Sequence, residues 1–127
     1  MEPSLLPRIL VADDDPEIVK MIQAALASVS AEIVTAADGE EALEKFLTEK
    51  PDLVILDVMM PGLSGWEVAK YIRKRAEYND IRLLMLTGIG ETINAATSPL
   101  IGADDYLDKP FSFEVLAERV RKLLPPA

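Results

Sequence analysis

The sequence predicts an α/β domain, a doubly wound parallel sheet with helices on both faces, from three observations. Apolar runs alternate with amphipathic stretches in the order strand, helix, five times over, which is the pattern of βαβ units. Three runs, Arg8-Ile9-Leu10-Val11-Ala12, Leu53-Val54-Ile55-Leu56 and Leu83-Leu84-Met85-Leu86, are almost continuously apolar, as strands covered on both faces must be. The runs also end alike, on Asp13 and Asp14, on Asp57, on Thr87, and, after Tyr106-Leu107, on Asp108 and Lys109. Parallel strands share a carboxyl edge, so these residues converge into one crevice.

The elements follow in order. After the first run, Asp15 precedes Pro16 and reads as a helix cap; a proline suits the first turn, and Ile18, Val19, Ile22, Leu26 and Val29 keep helical spacing. Glu32-Ile33-Val34-Thr35-Ala36 is β-branched and partly polar, hence an edge strand. Asp38 with Glu41 makes a capping-box-like start to a helix that turns Ala42, Leu43, Phe46 and Leu47 inward and stops at Pro51. Met60-Pro61-Gly62 makes a turn after the third strand. Ser64 and Glu67 then open a helix with Val68, Ala69 and Ile72 inward and Lys70, Arg73 and Lys74 toward water.

A fourth helix is expected between Gly90 and Pro99, short because Thr92, Asn94, Thr97 and Ser98 are poor helix formers. The fifth strand, Asp104-Asp105-Tyr106-Leu107, is polar in part. The last helix starts at Ser112, carries Leu116, Ala117, Val120 and Leu123 on one stripe, pairs Glu118 with Lys122 outside, and ends at Pro125 and Pro126. With the apolar strands central and the crossovers right-handed, the order 2-1-3-4-5 fits, one of the common doubly wound orders. Its winding reverses between strands one and three, where Asp13, Asp14 and Asp57 stand.

Composition narrows the chemistry. The chain has 127 residues, half of them hydrophobic, enough for one core, so a single domain over 1–127 with no output domain is expected. With no cysteine and no histidine, disulfides, thiolate or ordinary zinc sites and Ser-His or Cys-His nucleophiles are excluded. A net charge of −9 argues against direct nucleic-acid binding. The first seven residues, Met1-Glu2-Pro3-Ser4-Leu5-Leu6-Pro7, lack the features of a secretory signal. No apolar run approaches the ~20 residues of a membrane span, so no membrane insertion and a cytoplasmic location are expected.

At these residues the chain resembles the receiver domain of bacterial two-component response regulators, over nearly its whole length. The resemblance rests on Asp13-Asp14, on Asp57-Val58-Met59-Met60-Pro61-Gly62, on Thr87, and on Gly102-Ala103-Asp104-Asp105-Tyr106-Leu107-Asp108-Lys109-Pro110-Phe111. It implies a flavodoxin-like fold and makes Asp57 the acceptor of a phosphoryl group from a phosphohistidine on a sensor histidine kinase or histidine phosphotransfer protein. It implies Mg²⁺ held by Asp13, Asp14, Asp57 and the Met59 carbonyl, with Thr87, Gly88 and Lys109 around the phosphoryl group. It also makes Thr87 and Tyr106 the switch that reshapes the surface of the fourth predicted helix, fifth strand and last helix, where an unknown protein target docks. Physics agrees, since clustered carboxylates repel unless a cation neutralises them and Mg²⁺ takes hard oxygen ligands.

Some positions depart from the family's habit. Gly88 stands where alanine is frequent, and Met59 and Ile89 are apolar at positions that govern water's access, so slow spontaneous loss of the phosphoryl group is expected. The implied role is a phosphoacceptor, not an enzyme, limited to Mg²⁺-dependent self-phosphorylation and self-dephosphorylation. Two competing readings are a Mg²⁺-dependent phosphohydrolase and a receiver-like scaffold that takes no phosphate. Asp13-x-Asp15 superficially resembles the haloacid-dehalogenase motif, but Glu17 stands where threonine or valine belongs. The intact acidic residues, Thr87 and Lys109 speak against the scaffold. No Gly-x-x-x-x-Gly-Lys-Ser/Thr stretch supports a nucleotide-binding enzyme. Trp66 reads as a packing residue.

Overall fold

Residues 6–88 and 102–125 are described by a computed structural model of the chain. Five strands, β1 (Arg8–Ala12), β2 (Glu32–Ala36), β3 (Leu53–Asp57), β4 (Arg82–Thr87) and β5 (Asp105–Asp108), form one parallel sheet in the order β2-β1-β3-β4-β5. The order expected from the grading of apolar runs is the order found. Each strand of β1, β3 and β4 is buried apart from its amino-terminal residue or throughout, whereas the edge strand β2 is half-buried along most of its length.

Because successive side chains point to opposite faces, the sheet divides its residues between two cores. Leu10, Ala12, Val54, Leu56, Leu83 and Met85 pack on one face against α2 (Gly39–Glu49) and α3 (Gly65–Arg73). Ile9, Val11, Leu53, Ile55, Leu84 and Leu86 pack on the other against α1 (Pro16–Ala25) and α4 (Phe113–Leu123). Each fully buried aliphatic side chain contributes roughly 1.5–3 kcal/mol, so this two-faced burial fixes the strand ends in space.

The helix starts are capped as the sequence predicts. Asp15 accepts from the Glu17 amide at 2.9 Å, Asp38 from Glu41 at 2.8 Å and Ser112 from Val115 at 3.1 Å. Ser64 and Glu67 form a complete capping box. Glu41, however, reaches past Asp38 to the Ala37 amide at 2.7 Å. Glu118 and Lys122 pair at 3.1 Å.

Two expectations need correction. Leu47 is 44% exposed, because the buried row of α2 is Gly39, Ala42 and Phe46, and Leu43 and Leu47 lie about 100° further round the helix. Arg73 does not face water. Its guanidinium donates to the carbonyls of Gly102 at 2.8 Å, Tyr78 at 3.2 Å and Ile81 at 2.7 Å, and to Asp104 Oδ2 at 2.9 Å, which leaves the side chain 17% exposed. The helix expected between Gly90 and Pro99, and Ile89, lie outside the described residues. Among the described residues no helix is long and apolar enough to cross a membrane.

Candidate phosphoacceptor site

The reversal of winding between β1 and β3 opens the crevice, and the strand ends fill it. Asp57 is the last residue of β3 and Asp13 the first after β1. Both are buried, with 3% and 1% of their surface exposed, whereas Asp14 beside them is exposed. One carboxylate oxygen from each of Asp13, Asp14 and Asp57 lies within 4.8 Å of the others. Burying like charges this close costs energy unless a cation sits among them, and a set of hard carboxylate oxygens suits a small divalent cation.

Lys109 closes the crevice from β5. Its Nζ lies 3.0 Å from Asp13 Oδ2 and 3.3 Å from Asp57 Oδ1. Burial opposes the charge on this lysine, but hydrogen bonding and attraction to Asp13, then Asp57, outweigh it and hold the ammonium above the ordinary lysine value. The backbone beneath is fixed, since the Lys109 amide donates to the Thr87 carbonyl at 2.6 Å.

Local backbone constraints set the position of Asp57. The Val58 amide donates to Leu86 at 2.9 Å and the Gly65 amide to Val58 at 3.0 Å, so the loop after Asp57 is tied to β4 and to the start of α3. A Cβ on Gly65 would overlap the Asp57 carbonyl oxygen, so only glycine lets α3 start this close. Gly62, with φ of 74°, turns the loop in a conformation glycine adopts freely. On this loop the side chain of Met59 is 60% exposed.

Thr87 is fully buried at the end of β4. Its hydroxyl donates to Asp108 Oδ1 at 2.5 Å. Tyr106 is half-buried against the α2 and α3 core, its ring centroid 6.3 Å from that of Trp66, so Trp66 packs as expected. Gly88, half-buried, lines an apolar groove of about 330 Å³ with Ile18, Met21, Lys109, Pro110 and Phe111. The structure thus brings together Asp13, Asp14, Asp57 and Lys109, and puts Thr87 and Tyr106 on the neighbouring strands. Sequence reasoning missed Asp108 as Thr87's partner. The pairing follows from the register of β4 against β5, in which Thr87 and Asp108 are partners, and the predicted strand order places the two strands side by side without fixing that register.

Fold and site together define a doubly wound domain with an acidic, lysine-closed crevice at its switch point. The chain matches the response regulator receiver domain family over residues 9–121 and belongs to it. It is 47% identical over 92% of its length to 48% of the "Probable transcriptional regulator ycf27" of Cyanophora paradoxa. It is 45% identical over 92% of its length to 48% of the "Alkaline phosphatase synthesis transcriptional regulatory protein PhoP" of Bacillus subtilis (strain 168). The chain therefore spans about half the length of these curated relatives. Among solved structures, the chemotaxis protein CheY4 of Vibrio cholerae superposes with a TM-score of 0.82 at 34% identity, covering 94% of this chain and 99% of that one. The Francisella response regulator 1452 receiver domain gives 0.81 at 37%, covering 92% and 95%.

Proposed function

We propose that this receiver domain is a phosphorylation-controlled switch in which Asp57 takes a phosphoryl group from a phosphohistidine on a sensor histidine kinase or histidine phosphotransfer protein. One carboxylate oxygen of Asp57 forms the new P–O bond as the P–N bond to the donor's imidazole breaks, and the imidazole leaves with the electron pair. The observation that carries this reading is that Asp57 ends β3 within 4.8 Å of the Asp13 and Asp14 oxygens and 3.3 Å from an ammonium. Transfer of this kind needs in-line positioning and neutralised equatorial oxygens more than covalent help.

Asp13, Asp14 and Asp57, with the Met59 carbonyl, would hold Mg²⁺, which when bound supplies positive charge to the phosphoryl oxygens. Lys109 supplies a second positive charge and keeps it, because its two carboxylate neighbours favour the protonated form. The Thr87 hydroxyl donates to a phosphoryl oxygen once it turns toward Asp57, and Tyr106 takes the space it leaves. The change reads out on the surface of β5, α4 and the segment before them, where a protein target docks. The apolar groove beside Lys109 suits a helix of the phosphodonor.

The domain is an acceptor rather than a turnover enzyme, its own chemistry limited to Mg²⁺-dependent gain and loss of the phosphoryl group. A net charge of −9 argues against this domain itself gripping a phosphate backbone. Treatment with acetyl phosphate and Mg²⁺ followed by intact mass tests the reading. One phosphoryl adduct is expected, absent in Asp57→Asn and absent when EDTA replaces Mg²⁺. No adduct, or one that survives in Asp57→Asn, ends it.

A further inference from the structure

We propose that Asp108 is a positioning residue that holds the Thr87 hydroxyl away from Asp57 and so sets how readily the switch closes. The inference rests on the reading of Thr87 as a donor to the phosphoryl group. Thr87 and Asp108 are register partners at the last positions of β4 and β5, and the hydroxyl donates to Oδ1 at 2.5 Å. A hydroxyl has one proton to give. Donation to Asp108 and donation to a phosphoryl oxygen therefore exclude each other.

The surroundings make this a real competition. Thr87 is fully buried, where a donor without an acceptor is costly, so its hydroxyl holds one acceptor until another is in reach. A carboxylate acceptor makes a short, charge-assisted bond, stronger than a backbone carbonyl or water would offer. The Lys109 amide meanwhile ties its backbone to the Thr87 carbonyl at 2.6 Å, so the strands stay paired and the exchange falls to rotation of the Thr87 side chain. Asp108 itself is exposed, and its carboxylate is rehydrated when the bond breaks, which lowers the cost of release without removing it. Tyr106 stands two residues before Asp108 on the same face of β5. The residue that restrains Thr87 therefore shares a strand with the ring that follows it.

Beryllofluoride with Mg²⁺, a stable stand-in for the phosphoryl group, tests this, with bound fluoride followed by fluorine NMR. Asp108→Ala is expected to bind it about three- to tenfold more tightly than the unmodified chain. Asp108→Asn keeps an acceptor oxygen without the charge and should fall between the two. Removing a negative charge near an anion would also tighten binding with no part played by Thr87, and the double variant separates the two causes. In a Thr87→Ala background, Asp108→Ala should change the affinity by less than twofold. No gain in Asp108→Ala, or the same gain in both backgrounds, overturns the proposal while leaving the phosphoacceptor reading intact. Failure of the unmodified chain to bind beryllofluoride, or equal binding by Asp57→Asn, removes that reading and this proposal with it.

Discussion

At the amino-terminal edge of the sheet, acidic side chains are matched by donors. Asp52 accepts from the Arg8 amide at 2.9 Å, Glu32 from the Arg8 guanidinium at 2.9 Å, and Asp104 from both Arg73 and the Leu83 amide at 2.9 and 2.8 Å. The attraction of Glu32 is strong enough, against desolvation, to raise the already high value of Arg8. At the carboxyl-terminal edge Asp13, Asp14 and Asp57 gather together, and among the described residues Lys109 is the cation that pairs with them, through Asp13 and Asp57. The same sheet thus carries a matched rim and a mismatched one. The matched rim stabilises the fold; the mismatched rim gives up stability by crowding like charges, which is the cost the proposed cation and phosphoryl group would relieve.

Breaking the matched rim should cost most. Arg73→Ala takes a donor from the carbonyls of Gly102, Tyr78 and Ile81 and from the Asp104 carboxylate, although Tyr78 keeps the Ile81 amide and Asp104 the Leu83 amide, and a loss of about 3 kcal/mol is expected in urea unfolding. The yield of phosphoryl adduct at low temperature should change little. If the adduct disappears while stability holds, the division of labour between the rims is wrong.

Relieving the mismatched rim should do the opposite. In EDTA, Asp57→Asn removes one of three crowded carboxylates, and the urea midpoint should rise by the equivalent of about 1 kcal/mol. Saturating Mg²⁺ should raise the midpoint of the unmodified chain by mass action and that of Asp57→Asn far less. A variant that loses stability in EDTA and responds to Mg²⁺ as strongly as the parent would contradict this.

Two smaller effects sharpen the contrast. Met59 is exposed two residues after Asp57, the proposed acceptor, and an asparagine there can hold a water, so Met59→Asn should shorten the phosphoryl half-life a few-fold in an acid-quench time course. A half-life that lengthens markedly refutes the idea. For Lys109, the folded-state value is raised, so its contribution is complete below the ordinary lysine value of about 10.5. It is lost as pH climbs through the raised folded value. In EDTA the unfolding free energy of the parent should therefore decline with pH at the alkaline end, and Lys109→Met should flatten that decline.

The fold was legible because its signals are local. Continuous apolar runs mark β1, β3 and β4, polar residues mark the edges, and Asp15, Asp38, Ser64 and Ser112 cap the helices they precede. The acidic crevice was legible for the same reason, since parallel strands carry their last residues to one edge. Arg73 was not, because the carbonyls it serves lie outside its own helix, 5, 8 and 29 residues away. Leu47 misled because an i,i+4 pair with Leu43 continues an apolar arc beyond the row that α2 buries. The Thr87–Asp108 bond needed the register of β4 against β5, which strand order alone does not supply.

Trp66 is the only tryptophan in the chain, and its ring leans toward Tyr106 at a centroid distance of 6.3 Å. The molecule accordingly carries a native optical gauge. Indole emission comes from one location beside β5, so turning of the phenol changes its quenching without any dye being attached. Stopped-flow traces of that emission can time the proposed rearrangement separately from the proposed arrival of the phosphoryl group.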